Sequence, residues 1–331
     1  MRSLCLSVFT FFIFNYAHGQ YLEPDELTIV RNNIKEYKII QKDSKDKYAE
    51  FNNKLVKHLK LGQLANVEYK YTFYKHNYGN TQVTCIDSII YDYNELGDLS
   101  ETTTYHNIKP ENPAQKSQLE ALGFQTSPLI TLHKYYYKEG RKKIIEKEFD
   151  NGELSYQINF SYDSQDRIVK EQKINFNSSP LNNTTKTYDY DTLDRLINIK
   201  LNHPADKKVD QTIFFYDSYG KKLKEERKST WTNYIITYEY NKNNQLVESI
   251  RTGTNIFSSK ENKQRDQYHY DDHENLIEYL QFDNDKLKTW VKYIYNKNNL
   301  ITDELWMNEK DGSVDTHFIF LYSYYKVYKM K

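Results

Sequence analysis

Through most of the chain, apolar and polar residues alternate with a period of two, in short runs separated by clusters of Asp, Asn and Gly. In a strand, residues i and i+2 share a face, so this alternation predicts strands with one face distinct from the other. A short unit recurs: an aromatic, any residue, Tyr, then Asp or Asn, a polar turn, and Leu or Ile about six positions after the Tyr. It reads Tyr91-Asp92-Tyr93-Asn94 with Leu99, Phe160-Ser161-Tyr162-Asp163 with Ile168, and Tyr188-Asp189-Tyr190-Asp191 with Leu196. It continues as Tyr238-Glu239-Tyr240-Asn241 with Leu246 and Tyr268-His269-Tyr270-Asp271 with Leu276, with shifted copies at Phe214 to Leu223 and Tyr293 to Leu300. From Tyr137 the second Tyr recurs at 162, 190, 216, 240, 270, 295 and 322, a spacing of 24 to 30 residues.

Each unit has a physical reading. The two aromatics of Tyr-any-Tyr point to one face, and the Asp or Asn after them opens a turn by bonding its own backbone two residues on. The following Leu or Ile, as in Leu246-Val247-Glu248-Ser249-Ile250, begins a return strand with aliphatic and polar residues interleaved. One unit is one hairpin plus its link to the next. The predicted fold is therefore mainly β: at least seven tandem antiparallel β-hairpin repeats forming an extended or curved sheet, with a short N-terminal helix and one helical insert.

This unit resembles the YD repeat of the Rhs family, whose repeats read Tyr-Asp, two variable residues, Gly-Arg-Leu. Asp191-Thr192-Leu193-Asp194-Arg195-Leu196 and Asp163-Ser164-Gln165-Asp166-Arg167-Ile168 are the nearest matches, and the likeness covers roughly residues 85 to 325. The resemblance implies long antiparallel β ribbons. The family glycine stands only at Gly97 and Gly220, with Asp, Asn or Glu in the other copies. The chain is far shorter than the family's toxin-enclosing shells, and that role is not carried over to it.

Other segments depart from the repeat. Pro24, Asp25 and Glu26 suit a helix start, and Leu27, Val30 and Ile34 share a helical face, so residues 20 to 33 are expected to cap the array. Residues 34 to 74 look like degenerate repeats within an array running from 34 to 331: Phe51 to Val56 echoes the hairpin unit and Glu68 to Phe73 alternates as a strand. The copies at Tyr93 and Tyr137 lie 44 residues apart, which places an insert at about residues 106 to 129. It holds Pro110, Pro113 and Pro128, and Asn112-Pro113 followed by Gly123 predicts a helix from Pro113 to Leu122.

The first residues alter the composition of the mature chain. Arg2, the apolar run Leu4 to Phe14 and Ala17-His18-Gly19 have the form of a secretory signal over residues 1 to 19, with the mature chain beginning at Gln20. The apolar run is about 11 residues, short of the roughly 20 a membrane-crossing helix needs. Cys5 stands at the start of that run rather than after it, which argues against lipidation. The whole chain has 46 basic and 46 acidic residues. Removing residues 1 to 19 takes one basic residue, Arg2, and no acidic one, leaving a net charge of about −1. That balance offers no electrostatic reason to expect nucleic acid or an anionic membrane. Cys85 becomes the only mature cysteine, so no intrachain disulfide is available to hold an exported protein together.

No familiar catalytic spacing is visible: neither a glycine-rich phosphate loop, nor a Gly-any-Ser-any-Gly elbow, nor a His-Glu-any-any-His helix. His269, Asp271, Asp272, His273 and Glu274 have metal-compatible side chains, but the same places in other copies hold ordinary turn residues such as Asn244 or Asp194, so no metal and no cofactor are expected. Cys85 has no His assignable to it and is read as an inert thiol. Return strands carry Lys, Glu and Arg on both faces, which argues against a transmembrane barrel. What remains to bind with is aromatic area. Tyr188, Tyr190, Tyr238, Tyr240, Tyr268 and Tyr270 are the candidate ligand contacts, and the competing reading makes them structural partners across neighbouring strands. The sequence thus reads as an exported, non-enzymatic repeat protein, periplasmic, cell-surface or secreted, serving as scaffold or binding surface for glycan or envelope protein. The alternative is a polysaccharide-active enzyme or accessory factor with carboxylates in a groove of the array, since two such groups can come from distant repeats.

Overall fold

A computed structural model describes residues 34–42, 54–61, 67–78, 81–109, 113–121, 129–138, 142–179, 182–204, 208–230, 232–255 and 258–324. The expected signal segment and the helical cap at 20–33 lie outside the described residues. Twenty strands follow one another: β1 Ile34–Lys42, β2 Lys54–Leu61, β3 Val67–Tyr78, β4 Thr81–Tyr93, β5 Leu99–Lys109, β6 Leu129–Lys138, β7 Lys142–Asp150, β8 Glu153–Tyr162, β9 Ile168–Asn175 and β10 Thr184–Tyr190. They continue as β11 Leu196–His203, β12 Lys208–Tyr216, β13 Lys222–Lys228, β14 Thr232–Tyr240, β15 Leu246–Asn255, β16 Ser258–Tyr270, β17 Leu276–Asp283, β18 Lys286–Tyr295, β19 Ile301–Met307 and β20 Val314–Tyr324. Every strand pairs antiparallel with the next in sequence, and the seventeen from β4 to β20 form an uninterrupted run of hairpins. β1 to β3 extend the run, and β1 pairs with both β2 and β20.

The helical insert is present as α1, Pro113–Ala121, a polar helix with a Lys116–Glu120 ion pair at 3.8 Å. Its expected cap at Asn112 and stop at Gly123 lie outside the described residues. β5 runs on to Lys109, so the insert is narrower than its expected bounds and sits between residues 109 and 129. Cys85 lies inside β4, fully buried and paired in register with Ile108.

One device recurs at the end of the sheet where the Tyr-Asp turns lie. The turn-opening Asp or Asn accepts from the backbone N–H groups two and four residues on: Asp163 from Gln165 and Arg167, Asp191 from Leu193 and Arg195, Asn241 from Asn243 and Gln245. The fourth turn residue takes a positive φ at Gly97, Asp166, Asp194, Gly220, Asn244, Glu274 and Asn299. This is the place of the family glycine: the backbone demand persists in copies that lack it, filled mostly by Asp and Asn, which tolerate left-handed geometry.

Immediately after each turn the return strand carries a bulge. Glu239 pairs with Glu248 but Tyr240 pairs with Leu246, so Val247 is an extra residue. The same slip occurs after Asp92, Tyr136, Ser161, Asp189, Phe215, His269 and Ile294. The bulge resets the alternation expected from Leu246, so Leu246 and Ser249, rather than Leu246 and Glu248, share the tyrosine face.

The bulge also strands a carbonyl. Pairing of β13 with β14 begins at Lys224, two residues past Lys222, and the Lys222 carbonyl has no ladder partner there. Tyr240 Oη donates to it at 2.9 Å. The second tyrosine of each repeat does the same to the preceding return strand: Tyr137 to Leu99, Tyr162 to Lys143, Tyr190 to Ile168, Tyr216 to Leu196, Tyr270 to Leu246, Tyr295 to Leu276 and Tyr322 to Ile301, at 2.7 to 2.9 Å. A backbone acceptor away from water needs a donor, and the phenol supplies it where the ladder ends.

Candidate functional site

The tyrosine face changes character along its length. Close to the Tyr-Asp turns it is aromatic and aliphatic, with Tyr268 beside Tyr279 at 5.5 Å between ring centroids. Farther along, the return strands β7, β9, β13 and β19 place Glu146, Glu171, Glu225 and Glu304 on this face. Tyr188 donates to Glu171 at 2.6 Å, Tyr234 and Tyr238 both donate to Glu225 at 3.3 Å, and Trp306 donates to the fully buried Glu304 at 2.6 Å. Lysine stems cover the rings: Lys222 Nζ lies 4.4 Å from the Tyr238 centroid and Lys173 Nζ 3.6 Å from that of Tyr156. Burial, with the Glu225 and Glu171 carboxylates adding to it, raises the Tyr238 and Tyr188 phenols well above their ordinary value. His133, with Nδ1 3.7 Å from its carboxylate, comes first among the groups that lower Glu146 to about 2, and Lys143 adds to it at 2.8 Å.

At the end far from the Tyr-Asp turns, strands β14 to β17 enclose a groove of about 440 Å³. Its geometry follows from register. Tyr234, Gly253 and Asn262 form one cross-strand row on the tyrosine face; Ile236, Arg251, Gln264 and Asp283 form the next; Tyr238, Ser249, Asp266 and Gln281 form the third. The first row and Arg251, Gln264 and Asp283 of the second line the groove, joined by Gln281 and by Thr232, Asn233 and Thr254. Gly253 is needed here. A Cβ on it would fall 2.2 Å from the Asn233 carbonyl oxygen and 2.6 Å from Tyr234 Cβ. Tyr234 lies close over the glycine, and Arg251 Cζ stacks 4.1 Å from the Tyr234 centroid. A glycine inside a strand marks a close approach of this kind.

Below the groove Asp266 is almost fully buried. Its carboxylate accepts from Tyr279 Oη at 2.8 Å, Gln264 Nε2 at 3.1 and 3.3 Å, Gln281 Nε2 at 3.2 Å and Ser249 Oγ at 3.5 Å. Asp283 accepts from Asn284 at 3.0 Å. The groove thus combines an aromatic ring, one guanidinium, several side-chain amides and one accessible carboxylate, which suits hydrogen bonding to a polar ligand over an aromatic platform.

The six tyrosines named from the sequence are all on this face, and none of them lines the groove. Tyr190, Tyr240 and Tyr270 bond backbone carbonyls, Tyr188 and Tyr238 bond glutamates, and Tyr268 is buried. The groove residues Tyr234, Arg251, Gly253, Gln264 and Gln281 were not among the candidates. Only Gly253, a glycine within an alternating run, signalled them in the sequence. The residues of the His269 to Glu274 cluster diverge: His269 contacts Glu278 at 2.7 Å on the opposite face, Asp271 closes the turn by accepting from His273 and Asn275, and Glu274 holds the positive-φ place. No group of three or more His, Cys, Asp or Glu among the described residues is arranged to hold a metal ion. No helix among them is long and apolar enough to cross a membrane.

No protein-family model and no curated protein matches the chain. Among solved structures, a porin-like protein from Bacteroides uniformis is similar at 10% identity and a TM-score of 0.40, over 88% of this chain and 97% of that one. A porin-like protein from Bacteroides vulgatus follows at 11% and 0.31, over 89% and 100%. The TcdB2-TccC3 structure matches at 10% and 0.24, where this chain covers 88% of itself and only 21% of that chain. At such scores these likenesses carry no argument about this chain.

Proposed function

We propose that this is an exported, non-enzymatic repeat protein of the bacterial envelope type whose hairpin array presents a binding surface for glycan, with the β14–β17 groove as its principal contact. The observation that carries the reading is the groove itself: the Tyr234 ring with Arg251 over it, beside Gln264, Gln281 and Asn262. Kinship with YD repeats belongs to the same proposal, supported by the recurrent turn and by the tyrosine bond to the preceding repeat. The chemistry of the groove favours binding over hydrolysis. Glycoside hydrolysis needs two carboxyl groups able to exchange protons with substrate or water, and Asp266 is enclosed by four donor side chains.

The test is a screen of the purified mature protein against immobilised glycans and envelope polysaccharides, with product analysis of each incubation. Retention of one glycan class without new reducing ends is the expected result. Turnover of a polysaccharide that disappears when a single Asp or Glu is replaced would establish the enzymatic alternative instead.

A further inference from the structure

Asp266 has an unusual position: a carboxylate buried in a single-layer sheet, facing four donors and no cationic side chain at ion-pair distance among the described residues. Burying a charge without a counter-ion is costly unless hydrogen bonds replace its water, and an ionised carboxylate only accepts. Each neighbour must therefore turn a donor toward it. For a serine or tyrosine that constrains one proton. For a glutamine it decides which end of the amide faces the other way.

Gln264 directs its Nε2 at both oxygens of Asp266, so its Oε1 is turned away from the carboxylate, on a side chain that lines the groove. Gln281 is held the same way, by Asp266 and by Tyr279 Oη at 3.0 Å, with its Oε1 accepting from Thr289 at 3.5 Å. Arg251 makes no ion pair among the described residues; its Cζ lies 4.1 Å from the Tyr234 ring centroid and its side chain, which carries only donors, lines the groove. Acceptors from Gln264 and Asp283 thus lie in the same cross-strand row as donors from Arg251. One formal positive and one formal negative charge line the groove, from Arg251 and Asp283.

We infer that the groove selects an uncharged sugar through adjacent hydroxyls, and that Asp266 is its positioning residue, fixing the amides of Gln264 and Gln281 so that Gln264 presents an acceptor to the ligand. A hydroxyl both donates and accepts, so neighbouring ring hydroxyls match a row in which guanidinium donors are followed by an amide and a carboxylate acceptor. The net neutrality of the row disfavours a charged ligand, which would leave one of the two formal charges facing its like. This inference rests on the glycan-binding reading and adds the ligand class and the residue that sets it.

The test uses the intact mature protein with cellohexaose, xylohexaose and mannohexaose as neutral probes and hexagalacturonate as the acidic one, by titration calorimetry. At least one neutral probe should bind more tightly than hexagalacturonate, and Arg251→Met should weaken it about tenfold or more. Asp266→Asn sets an amide donor against amide donors. It should weaken neutral binding several-fold, while Asp266→Asn combined with Gln264→Glu restores an acceptor on both sides and should recover it. The Gln264 and Gln281 side-chain NH2 resonances, assigned by NMR, report the amide orientation without any ligand, and in Asp266→Asn at least one pair should move. Tighter binding of hexagalacturonate overturns the ligand class. Unchanged binding and unmoved NH2 signals in a folded Asp266→Asn protein overturn the role of Asp266. Moved NH2 signals in a protein that binds none of the four probes would place the failure in the glycan reading rather than in the geometry.

Discussion

The two ends of the sheet are built by different rules. At the Tyr-Asp end each hairpin repeats one set of contacts: an Asx side chain holding two N–H groups, a positive φ at the fourth turn residue, a bulge, and a phenol on the preceding repeat's stranded carbonyl. Turns are also tied to their neighbours, as Arg167 to Asp194 at 2.6 Å and Arg195 to the Asp217 carbonyl at 2.9 Å. The far end lacks one device common to all its links. At Asn151-Gly152 and Asn284-Asp285 the asparagine donates its N–H to, and accepts through Oδ1 from, the backbone of Ile130 and Lys263 respectively, whereas the longer Asn308 to Ser313 turn is built differently and Gly253 brings β14 and β15 close together there. A repeat array can vary one end freely when the other keeps register, which is the arrangement expected when function is carried by loops and strand ends on a rigid frame.

The most severe way to break this contrast is to remove the repeated device at its centre. Replacing Tyr238 and Tyr240 together by Ala removes two half-buried rings and leaves the Lys222 carbonyl unpaired, and should cost about 4 kcal/mol or more. Tyr322→Ala removes one ring and one phenol–carbonyl bond from a strand paired on both sides, and should cost about half as much by denaturant titration if each ring acts locally. An equal or reversed order would show that the ring of pairings, not the local device, carries stability. Gly253→Ala attacks the other end. The new Cβ meets backbone at 2.2 Å, so strand β14 must move, at a cost of about 3 kcal/mol and with loss of any groove ligand while the Tyr-Asp turns stay intact.

Titration probes the band between the two ends more gently. Tyr188, Tyr238 and Tyr293 have phenols raised in the folded state, mainly by burial. A raised folded value means that the unfolded chain releases these protons first, near pH 10, so stability is full below pH 10 and falls as pH rises beyond it. Thermal unfolding followed from pH 9 to 11.5 should show this fall, and Tyr238→Phe should flatten it. Glu146 has the opposite sign. Its folded value, lowered to about 2 from 4.5, contributes stability above the unfolded value that is lost as pH falls through that window. Glu146→Gln should remove that part of the acid limb, and an unchanged acid limb would show that the His133 and Lys143 contacts do not hold in solution.

The smallest effects belong to single turns. Asp191→Ala should lower the unfolding midpoint slightly in denaturant titration through its two lost N–H contacts. Glu274→Gly should stabilise by several tenths to about 1 kcal/mol, because Glu at a φ of 67° occupies a place that glycine takes without strain. Measured together, these two changes ask whether the turn device acts independently in each copy.

Much of this device was legible beforehand. The spacing of Tyr190, Tyr216 and Tyr240 announced the hairpins, and Asp191 and Asn241 announced the turns, because an Asx side chain acts on N–H groups two and four residues away and such rules are local. Pro113 placed α1 within a residue of its observed end for the same reason. The bulge at Val247 escaped notice, since an extra residue is visible only against the strand it fails to pair with. The groove was less legible still. Arg251, Gln264 and Asp283 are spread over more than thirty positions, and nothing in their spacing relates them. They share a row because β15, β16 and β17 pair in one register.

By itself, then, the chain of residues determined the repeat, the strand alternation, the turns and the even balance of charge, all of which depend on neighbours within about six positions. Tertiary structure alone decided which carbonyl each tyrosine reaches, that β1 pairs with β20 as well as β2, and that Gly253 lies where the backbone of β14 leaves no space for a Cβ. The physical reason is that period-two alternation assigns a residue to a face but not to a partner. Partners across a sheet are set by register, and register is a property of two strands at once.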